Sequence, residues 1–137
     1  MWETAVFPTL YFMMTPASVM IIESQPLMRM ALSTALAAEG ITVLAELARS
    51  EEVTPHLLDQ RPDIILFSLY TTEQAELAVI SSLRQAFPET AVAVLVTGEQ
   101  KGQGQAALAH GAQLIVDKTA SRDSLLATLN SFHNLYC

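Results

Sequence analysis

Five polar side chains lie at or just after the ends of apolar segments, where they could form a catalytic or binding site. They are Glu23, Ser24, Ser68, Thr97 and Lys118. A serine becomes a nucleophile when a neutral amine takes its proton, and a nearby carboxylate keeps a lysine charged and prevents this. Because Glu23 accompanies Lys118, we expect no hydrolase chemistry from Ser68, and we predict that the chain is not an enzyme.

The other reactive residue types indicate no second site. His56, His110 and His133 fall within or at the ends of predicted helices, and we interpret them as surface or capping residues. The three glycines of segment 97–105 lack the phosphate-loop pattern, so this segment is predicted to be a flexible loop. Cys137 is the single cysteine and has no zinc-type spacing around it, which predicts no metal site and a reducing, cytoplasmic location.

The composition is that of a compact acidic domain. Apolar residues make up 51% of the 137 residues and charged residues only 15%, which allows one well-formed core. Fourteen acidic against seven basic residues give a net charge of −7, and Lys and Arg form no cluster, so we predict no binding to nucleic acid. No apolar run reaches the roughly 18 residues of a membrane span, so no membrane association is predicted.

Strands that alternate with helices from residue 18 onward must position the five side chains. Predicted strands cover 18–23, 41–47, 63–68, 90–97 and 112–117, and predicted helices cover 26–40, 50–60, 73–87, 101–110 and 121–133. Strands without polar interruptions are typical of a parallel sheet, and their alternation with helices places helices on both of its faces. Such sheets bind ligands at the carboxyl ends of their strands, where the five polar residues would converge.

Two of the helices carry more specific expectations. Ser50 is predicted to cap the helix over 50–60, with Pro55 tolerated near its first turn. In the helix over 26–40, the apolar residues recur at helical spacing. Met28 and Met30, which belong to that pattern, are interpreted as packing residues.

Residues 1–17 form an apolar N-terminal extension before the predicted domain of residues 18–137. The extension lacks a basic region and is interrupted by Pro8, so it is not predicted to be a signal peptide. We interpret it as a loosely ordered tail, with a short docking arm as the alternative. Met14 would also make a natural start, in which case residues 1–13 would be an upstream extension of the reading frame.

Four segments, in order, resemble the receiver domain of bacterial response regulators, above all the LuxR/NarL-type receivers attached to helix-turn-helix output domains. The segments are VMIIESQPLMRMAL, RPDIILFSL, VLVTG and GAQLIVDK, and the resemblance covers residues 18–134. It implies a flavodoxin-like α/β fold, in which a five-stranded parallel sheet has the strand order 2-1-3-4-5 and helices on both faces.

The resemblance also implies that the family's phosphorylation chemistry is missing here. Ser68 stands at the position of the phosphoacceptor aspartate and Ser24 at that of a metal-coordinating carboxylate, so we expect neither phosphorylation nor Mg²⁺ or another cofactor. Thr97 fills the family's Thr/Ser position, although an alignment without gaps places Val96 there. Ile115 replaces the aromatic residue that changes position when a receiver of this family is activated.

Lys118 occupies the family's lysine position, and we predict that it pairs with Glu23 and touches the hydroxyl of Ser68. The resulting hypothesis is a phosphorylation-independent receiver-like domain that acts by binding a protein partner or a second copy, in a regulator of transcription. Its contact surface would be the fourth helix, the fifth strand and the last helix. Two alternatives stay open: a small-molecule sensor with a pocket between Ser24, Ser68 and Lys118, and a degenerate receiver that still accepts phosphoryl groups.

Overall fold

The structure is a computed structural model that describes residues 18–97, 102–118 and 126–127. Its elements in chain order are β1 (Ser18–Ile22), α1 (Pro26–Ala38), β2 (Thr42–Leu47), a 3₁₀ turn (Ser50–Glu52), α2 (Pro55–Gln60), β3 (Ile64–Ser68), α3 (Gln74–Ala86), β4 (Ala91–Val96), α4 (Gln103–Ala109) and β5 (Leu114–Asp117). The predicted N-terminal extension, residues 1–17, lies outside the described residues. So does the predicted last helix over 121–133, with His133, except for residues 126–127, which are helical.

The five strands form one parallel sheet in the order β2-β1-β3-β4-β5, which confirms the predicted fold. Every residue of β3 and β4 is buried, as expected of central strands that helices cover on both faces. The strand order reverses between β1 and β3, so the carboxyl ends of these two strands flank the place where such sheets bind ligands.

Alternation along the strands divides the core into two layers. Val19 and Ile21 of β1 pack with Leu32 and Leu36 of α1, and Leu126 belongs to the same layer. On the opposite face of the sheet, the next residues of β1 pack with apolar side chains from α3 and α4: Met20, Ile22, Leu77, Ile80, Leu83 and Ala107. The prediction of helices on both faces is therefore confirmed. No helix of the described residues is long and apolar enough to cross a membrane.

The predicted helix over 50–60 is wrong in its first half. Ser50–Glu52 form a separate 3₁₀ turn, and α2 begins at Pro55. The hydroxyl of Thr54, not that of Ser50, caps the helix by accepting the backbone N–H of Leu57 at 3.3 Å. A proline ring clashes with the preceding helical turn but is pre-formed for the first helical position, so Pro55 starts the helix here.

Helix α1 differs from the prediction at Met30, which is exposed and not a packing residue. Leu32 and Leu36 are buried and Met28 packs against the same core layer, as expected of the helix's inner face. Met30, however, is exposed, and so is its neighbour Leu27 on the same side of the helix. The apolar pattern of this helix is wider than its core face, and spacing alone did not distinguish the two sides.

Candidate functional site

Three of the five predicted site residues meet at the carboxyl edge of the sheet. Glu23 directly follows β1 and is 0% exposed, Ser68 ends β3, and Lys118 directly follows β5. The Ser68 hydroxyl donates to Glu23 Oε1 at 2.5 Å, and Lys118 Nζ lies 3.6 Å from the same oxygen. The predicted ion pair of Lys118 with Glu23 is therefore confirmed.

Tyr70, which was not predicted from the sequence, completes this group. Its hydroxyl donates to Glu23 Oε2, and Lys118 Nζ lies 3.4 Å from the centroid of its ring. An ammonium over an aromatic face is attracted by the negative charge of the ring's π electrons. The signal in the sequence was its position, because Tyr70 lies only two residues past Ser68, the polar end of β3. Glu23, Ser68, Tyr70 and Lys118 are called the buried polar group below.

Glu76 in the first turn of α3 was also missed, and it holds the chain that carries Tyr70. Its Oε1 accepts the backbone N–H of Tyr70, and its Oε2 accepts the hydroxyl of Thr71 at 3.0 Å. Burial raises the pKa of Tyr70 above its ordinary value, and so do its hydrogen bond to Glu23 and the charges of Glu23 and Glu76. Tyr70 therefore stays a protonated donor at neutral pH.

Both oxygens of the Glu23 carboxylate accept hydrogen bonds. Oε1 receives Ser68, while Oε2 receives Tyr70 and the backbone N–H of Gln25, the latter at 3.0 Å. Burial on its own raises the pKa of this carboxyl, but these three hydrogen bonds and the charge of Lys118 outweigh it, so the pKa lies below its ordinary value. Glu23 is therefore a buried anion at neutral pH. Arg29 donates to its backbone carbonyl at 2.7 Å and fixes the loop.

The ammonium group of Lys118 has fewer polar contacts than the carboxylate of Glu23. Its side chain is 5% exposed, and its Nζ has no hydrogen-bond partner among the described residues, since 3.6 Å to Glu23 is an ion-pair distance. Burial lowers the pKa of Lys118, and Glu23 and Glu76 offset that only in part. The expected contact with the Ser68 hydroxyl is not a hydrogen bond, since Lys118 Nζ makes none among the described residues, and that hydroxyl donates to Glu23 Oε1 instead. Ser68 and Lys118 thus do not form a nucleophile–base pair.

The remaining predicted residues lie outside this group. Ser24 is exposed beside it. The backbone N–H and the hydroxyl of Thr97 both donate to Gln103 Oε1, at 3.2 and 3.4 Å, and the buried Gln103 donates to the carbonyl of Leu69 at 3.3 Å. Val96, the alternative to Thr97, is buried in the core. The backbone N–H of Lys118 donates to the carbonyl of Val96 at 2.7 Å, but neither Thr97 nor Val96 has a hydrogen bond to the side chain of Glu23, Ser68 or Lys118 among those described.

Ile115, the predicted switch position, is partly buried in the core layer beside α4. A Cβ atom added at Gly104 of α4 would lie 3.4 Å from Ile115 Cγ2, which is ordinary van der Waals contact. The side chain is therefore packed against the helix. A branched aliphatic residue in such a place has no polar atom that could favour a second, exposed position.

A cleft of about 410 Å³ opens next to the buried polar group. It lies between the loops that follow β1 and β2 and the start of α3, and its lining residues include Ser24, Arg49, Ser68, Tyr70 and Glu76. Lys118 lies outside this lining. The pocket expected between Ser24, Ser68 and Lys118 is therefore displaced toward β2, because Tyr70 stands over the lysine.

The donor atoms at this edge do not fit the magnesium ion that belongs to the family's phosphorylation chemistry. Mg²⁺ is bound through carboxylates, water and phosphate oxygens. Glu23 is the one carboxylate of the buried polar group, and both of its oxygens already accept hydrogen bonds. Ser24 and Ser68 are neutral. In residues 18–97, 102–118 and 126–127, no group of three or more His, Cys, Asp or Glu side chains could hold a metal ion.

Comparisons with known proteins agree with this architecture. The family model for the response regulator receiver domain matches residues 19–130. A response regulator from Thermotoga maritima superposes with a TM-score of 0.74 at 23% identity, over 86% of this chain and 98% of that one. A LuxR-family DNA-binding response regulator from Staphylococcus aureus gives 0.72 at 20% identity, over 85% and 98% of the two chains. No curated protein matches the chain.

Proposed function

Since this chain belongs to the family of response regulator receiver domains, we propose that it is a receiver that signals without phosphorylation of Ser68. The observation that supports this most directly is the state of Glu23. Its two oxygens are occupied by Ser68, Tyr70 and the N–H of Gln25, with Lys118 beside them. Internal contacts thus take the place that a metal and a phosphoryl group hold in other members.

The chemistry of Ser68 argues for the same proposal. A hydroxyl needs a base to attack a phosphoryl donor, and the group that accepts the Ser68 proton is Glu23. The pKa of Glu23 is lowered, which makes it a weak base. A carboxylate nucleophile would need no base at all. The serine is therefore suited to holding Glu23 in place and poorly suited to accepting a phosphoryl group.

The output of such a domain is the binding of a protein partner or a second copy of the chain. The face formed by α4 and β5 is the proposed contact surface, together with the predicted last helix. Leu108 on α4 is 52% exposed there, an apolar side chain available for burial against a partner. The net charge of −7 favours a protein partner over nucleic acid. The single cysteine supports a cytoplasmic location.

Intact-mass measurement after incubation with acetyl phosphate and Mg²⁺ tests the proposal. We expect no gain of a phosphoryl group, while a conventional receiver treated in parallel gains one. The Ser24→Asp/Ser68→Asp variant is the matched control, because it restores both missing carboxylates and should gain a phosphoryl group and bind Mg²⁺. A stoichiometric adduct on the unmodified chain that disappears in Ser68→Ala would contradict the proposal.

Sedimentation analysis of the unmodified chain and of Leu108→Glu tests the contact surface. If the partner is a second copy, the chain should self-associate without any phosphoryl donor, and a charge at Leu108 should weaken the association. A chain that associates only after acetyl phosphate treatment would contradict phosphorylation-independent signalling.

Small-molecule sensing is the second candidate function, and the open cleft beside Ser24 and Ser68 favours it. Polar groups of Arg49 and Glu76 and apolar walls from Phe67 and Val79 line the same space. A ligand that binds only the folded state raises the melting temperature, so thermal-shift screening of anionic and small polar metabolites would detect it. A hit should be lost in Arg49→Ala if the cleft is the site.

A further inference from the structure

Helix α1 has two apolar faces, and only one of them packs against the sheet. Leu32 and Leu36 are buried beneath it, whereas Leu27 and Met30 on the outer face are 77% and 58% exposed. Further small residues continue the outer face at intervals of three or four positions and form a shallow apolar groove of about 520 Å³ with the first two. The groove residues are Leu27, Met30, Ala31, Thr34, Ala35 and Ala38.

No charged residue lines this groove, and Thr34 is its one polar residue, because the other polar side chains of α1 are used elsewhere. Arg29 donates to the backbone carbonyl of Glu23, and Ser33 donates to Glu46 Oε2 on β2 at 2.8 Å. Arg29 and Ser33 therefore lie on the side of α1 that faces the loop after β1 and strand β2. A helix that is apolar on nearly all sides is normally covered on all sides. The outer face of α1, defined by the groove residues, thus lacks a cover among the described residues.

The chain itself contains a segment with the matching chemistry. Residues 1–17 include a single charged residue, Glu3, and are otherwise rich in large apolar and aromatic side chains: Trp2, Val6, Phe7, Leu10, Tyr11, Phe12, Met13 and Met14. The match to the receiver family begins at residue 19, so this segment is an addition to what the family shares. It is too apolar to gain from exposure to water.

The course of the chain brings this segment to one end of the groove. Ser18 starts β1 at the amino edge of the sheet, where its N–H donates to Asp63 Oδ2 at 3.0 Å. In a parallel α/β unit the helix runs against the strand, so Ala38 at the end of α1 lies toward that same edge. The 13 residues of α1 extend about 20 Å. Seventeen extended residues span up to roughly 56 Å, enough to follow the groove from Ala38 to Leu27.

We propose that residues 1–17 dock along the outer face of α1 and bury Leu27 and Met30 beneath their aromatic side chains. The extension is then a docking arm rather than a loose tail. The contact is apolar on both sides, so its stability depends on buried area and hardly on salt. A covered α1 is not available to partners, which leaves the face of α4 and β5 for the protein contacts proposed above.

Trp2 is the only tryptophan of the chain, so its fluorescence reports on the segment directly. In the full chain we expect emission at the short wavelengths typical of a buried indole. Met30→Glu and Leu27→Glu place a charge in the groove and should move the emission to longer wavelength. Leu58→Glu is the matched control, since it places the same charge on an exposed leucine of α2, outside the groove and the proposed contact surface, and it should leave the emission unchanged.

Three outcomes would overturn the proposal. The emission of the unmodified chain could already be that of a solvent-exposed indole. It could be buried but unmoved by either groove variant, which would place Trp2 elsewhere. It could shift to longer wavelength on dilution while sedimentation shows a dimer dissociating, which would make a second copy the occupant. Leu27 is so exposed that Leu27→Glu leaves the core intact, and circular dichroism of both variants verifies their fold.

Discussion

Two ion pairs of this chain have the same length and opposite surroundings. Lys118 Nζ lies 3.6 Å from Glu23 Oε1 with side chains 5% and 0% exposed, and Arg61 Nη1 lies 3.6 Å from Glu89 Oε2 with both side chains 76% exposed. The first pair stands at the carboxyl edge of the sheet, beside the positions of the family's phosphorylation chemistry. The second pair joins loops at the opposite edge.

The difference in burial, and not the distance, determines how each pair affects the free energy of unfolding. At such a separation the gross attraction between unit charges is about 1 kcal/mol in water and about 4 kcal/mol at an effective dielectric constant of 20. Burial also removes the hydration of both charges, which offsets much of the larger attraction. The buried pair therefore contributes little by forming, but it is costly to break on one side only. The exposed pair is neither strongly favourable nor costly to break.

The largest effect is expected from Glu23→Gln. The amide is neutral and turns an NH₂ group toward one of the three donors that now meet the carboxylate, while Lys118 is left as a buried cation without its counter-ion. We expect a loss of unfolding free energy at the upper end of roughly 1–3 kcal/mol, measured by urea denaturation. Glu89→Gln is the matched control. An equal, small loss for both variants would mean that burial does not separate the two pairs.

A smaller loss is expected from Lys118→Met. The variant removes an ammonium that has one ion pair and one aromatic ring as contacts, and Glu23 keeps three hydrogen bonds without it. The loss should lie at the lower end of roughly 1–3 kcal/mol. In Lys118→Met/Glu23→Gln, no buried charge remains unpaired, so the double variant should lose less than the sum of the two single losses. Strictly additive losses would show that the two groups are not coupled.

The pH dependence of stability should also distinguish the buried pair. The pKa of Glu23 is lowered from its ordinary value of 4.5, so below pH 4.5 the unfolded chain binds a proton before the folded one does. The stabilisation is complete above pH 4.5 and is lost as the pH falls toward the folded pKa. Urea midpoints measured across acid pH should fall less steeply for Glu23→Gln than for the unmodified chain. Parallel curves would indicate that Glu23 titrates normally in the folded state.

Alkaline pH is a poorer test, because two members of the group act in opposite directions there. The lowered pKa of Lys118 makes stability rise as the pH approaches the lysine's ordinary value of 10.5. The raised pKa of Tyr70 makes stability fall above its ordinary value of 10.0, since the unfolded tyrosine loses its proton first. The two contributions overlap and partly cancel. Acid pH isolates Glu23.

The sequence predicted the sheet from its own residues, and it predicted the Glu23–Lys118 pair from the strand ends together with the resemblance to receivers. Uninterrupted apolar strands identify a parallel sheet, and parallel strands bring the residues that follow them to one edge. Glu23 and Lys118 directly follow β1 and β5, so both lie at that edge. Because β3 and β4 separate these two strands, the family's lysine position was needed to predict that the two side chains pair. Tyr70 and Glu76 were missed because the loop after β3 and the first turn of α3 place them, and no periodicity describes a loop.

Where several patterns fit the same residues, the sequence was less informative. Ser50 and Thr54 are both good capping residues, and only Pro55 decides between them. In α1 the apolar residues cover more than half of the helix circumference, so spacing could not distinguish the buried Leu32 from the exposed Met30. In both cases the outcome depends on steric fit to neighbouring elements, which the residue types alone do not specify.

The smallest effect is expected from Arg61 and Glu89, and it completes the comparison. Both side chains stay hydrated in the folded state, and holding two long side chains in one geometry costs conformational entropy. We expect a double-variant cycle with Arg61→Met and Glu89→Gln to give a coupling of at most about 1 kcal/mol, and salt should reduce it further because the Debye length is about 3 Å at 1 M. The coupling of Lys118 with Glu23 should persist at the same salt concentration, because neither side chain is open to ions. A salt-sensitive coupling at the buried pair would mean that solvent and ions reach Lys118, which would contradict the shielding of this pair that its burial indicates.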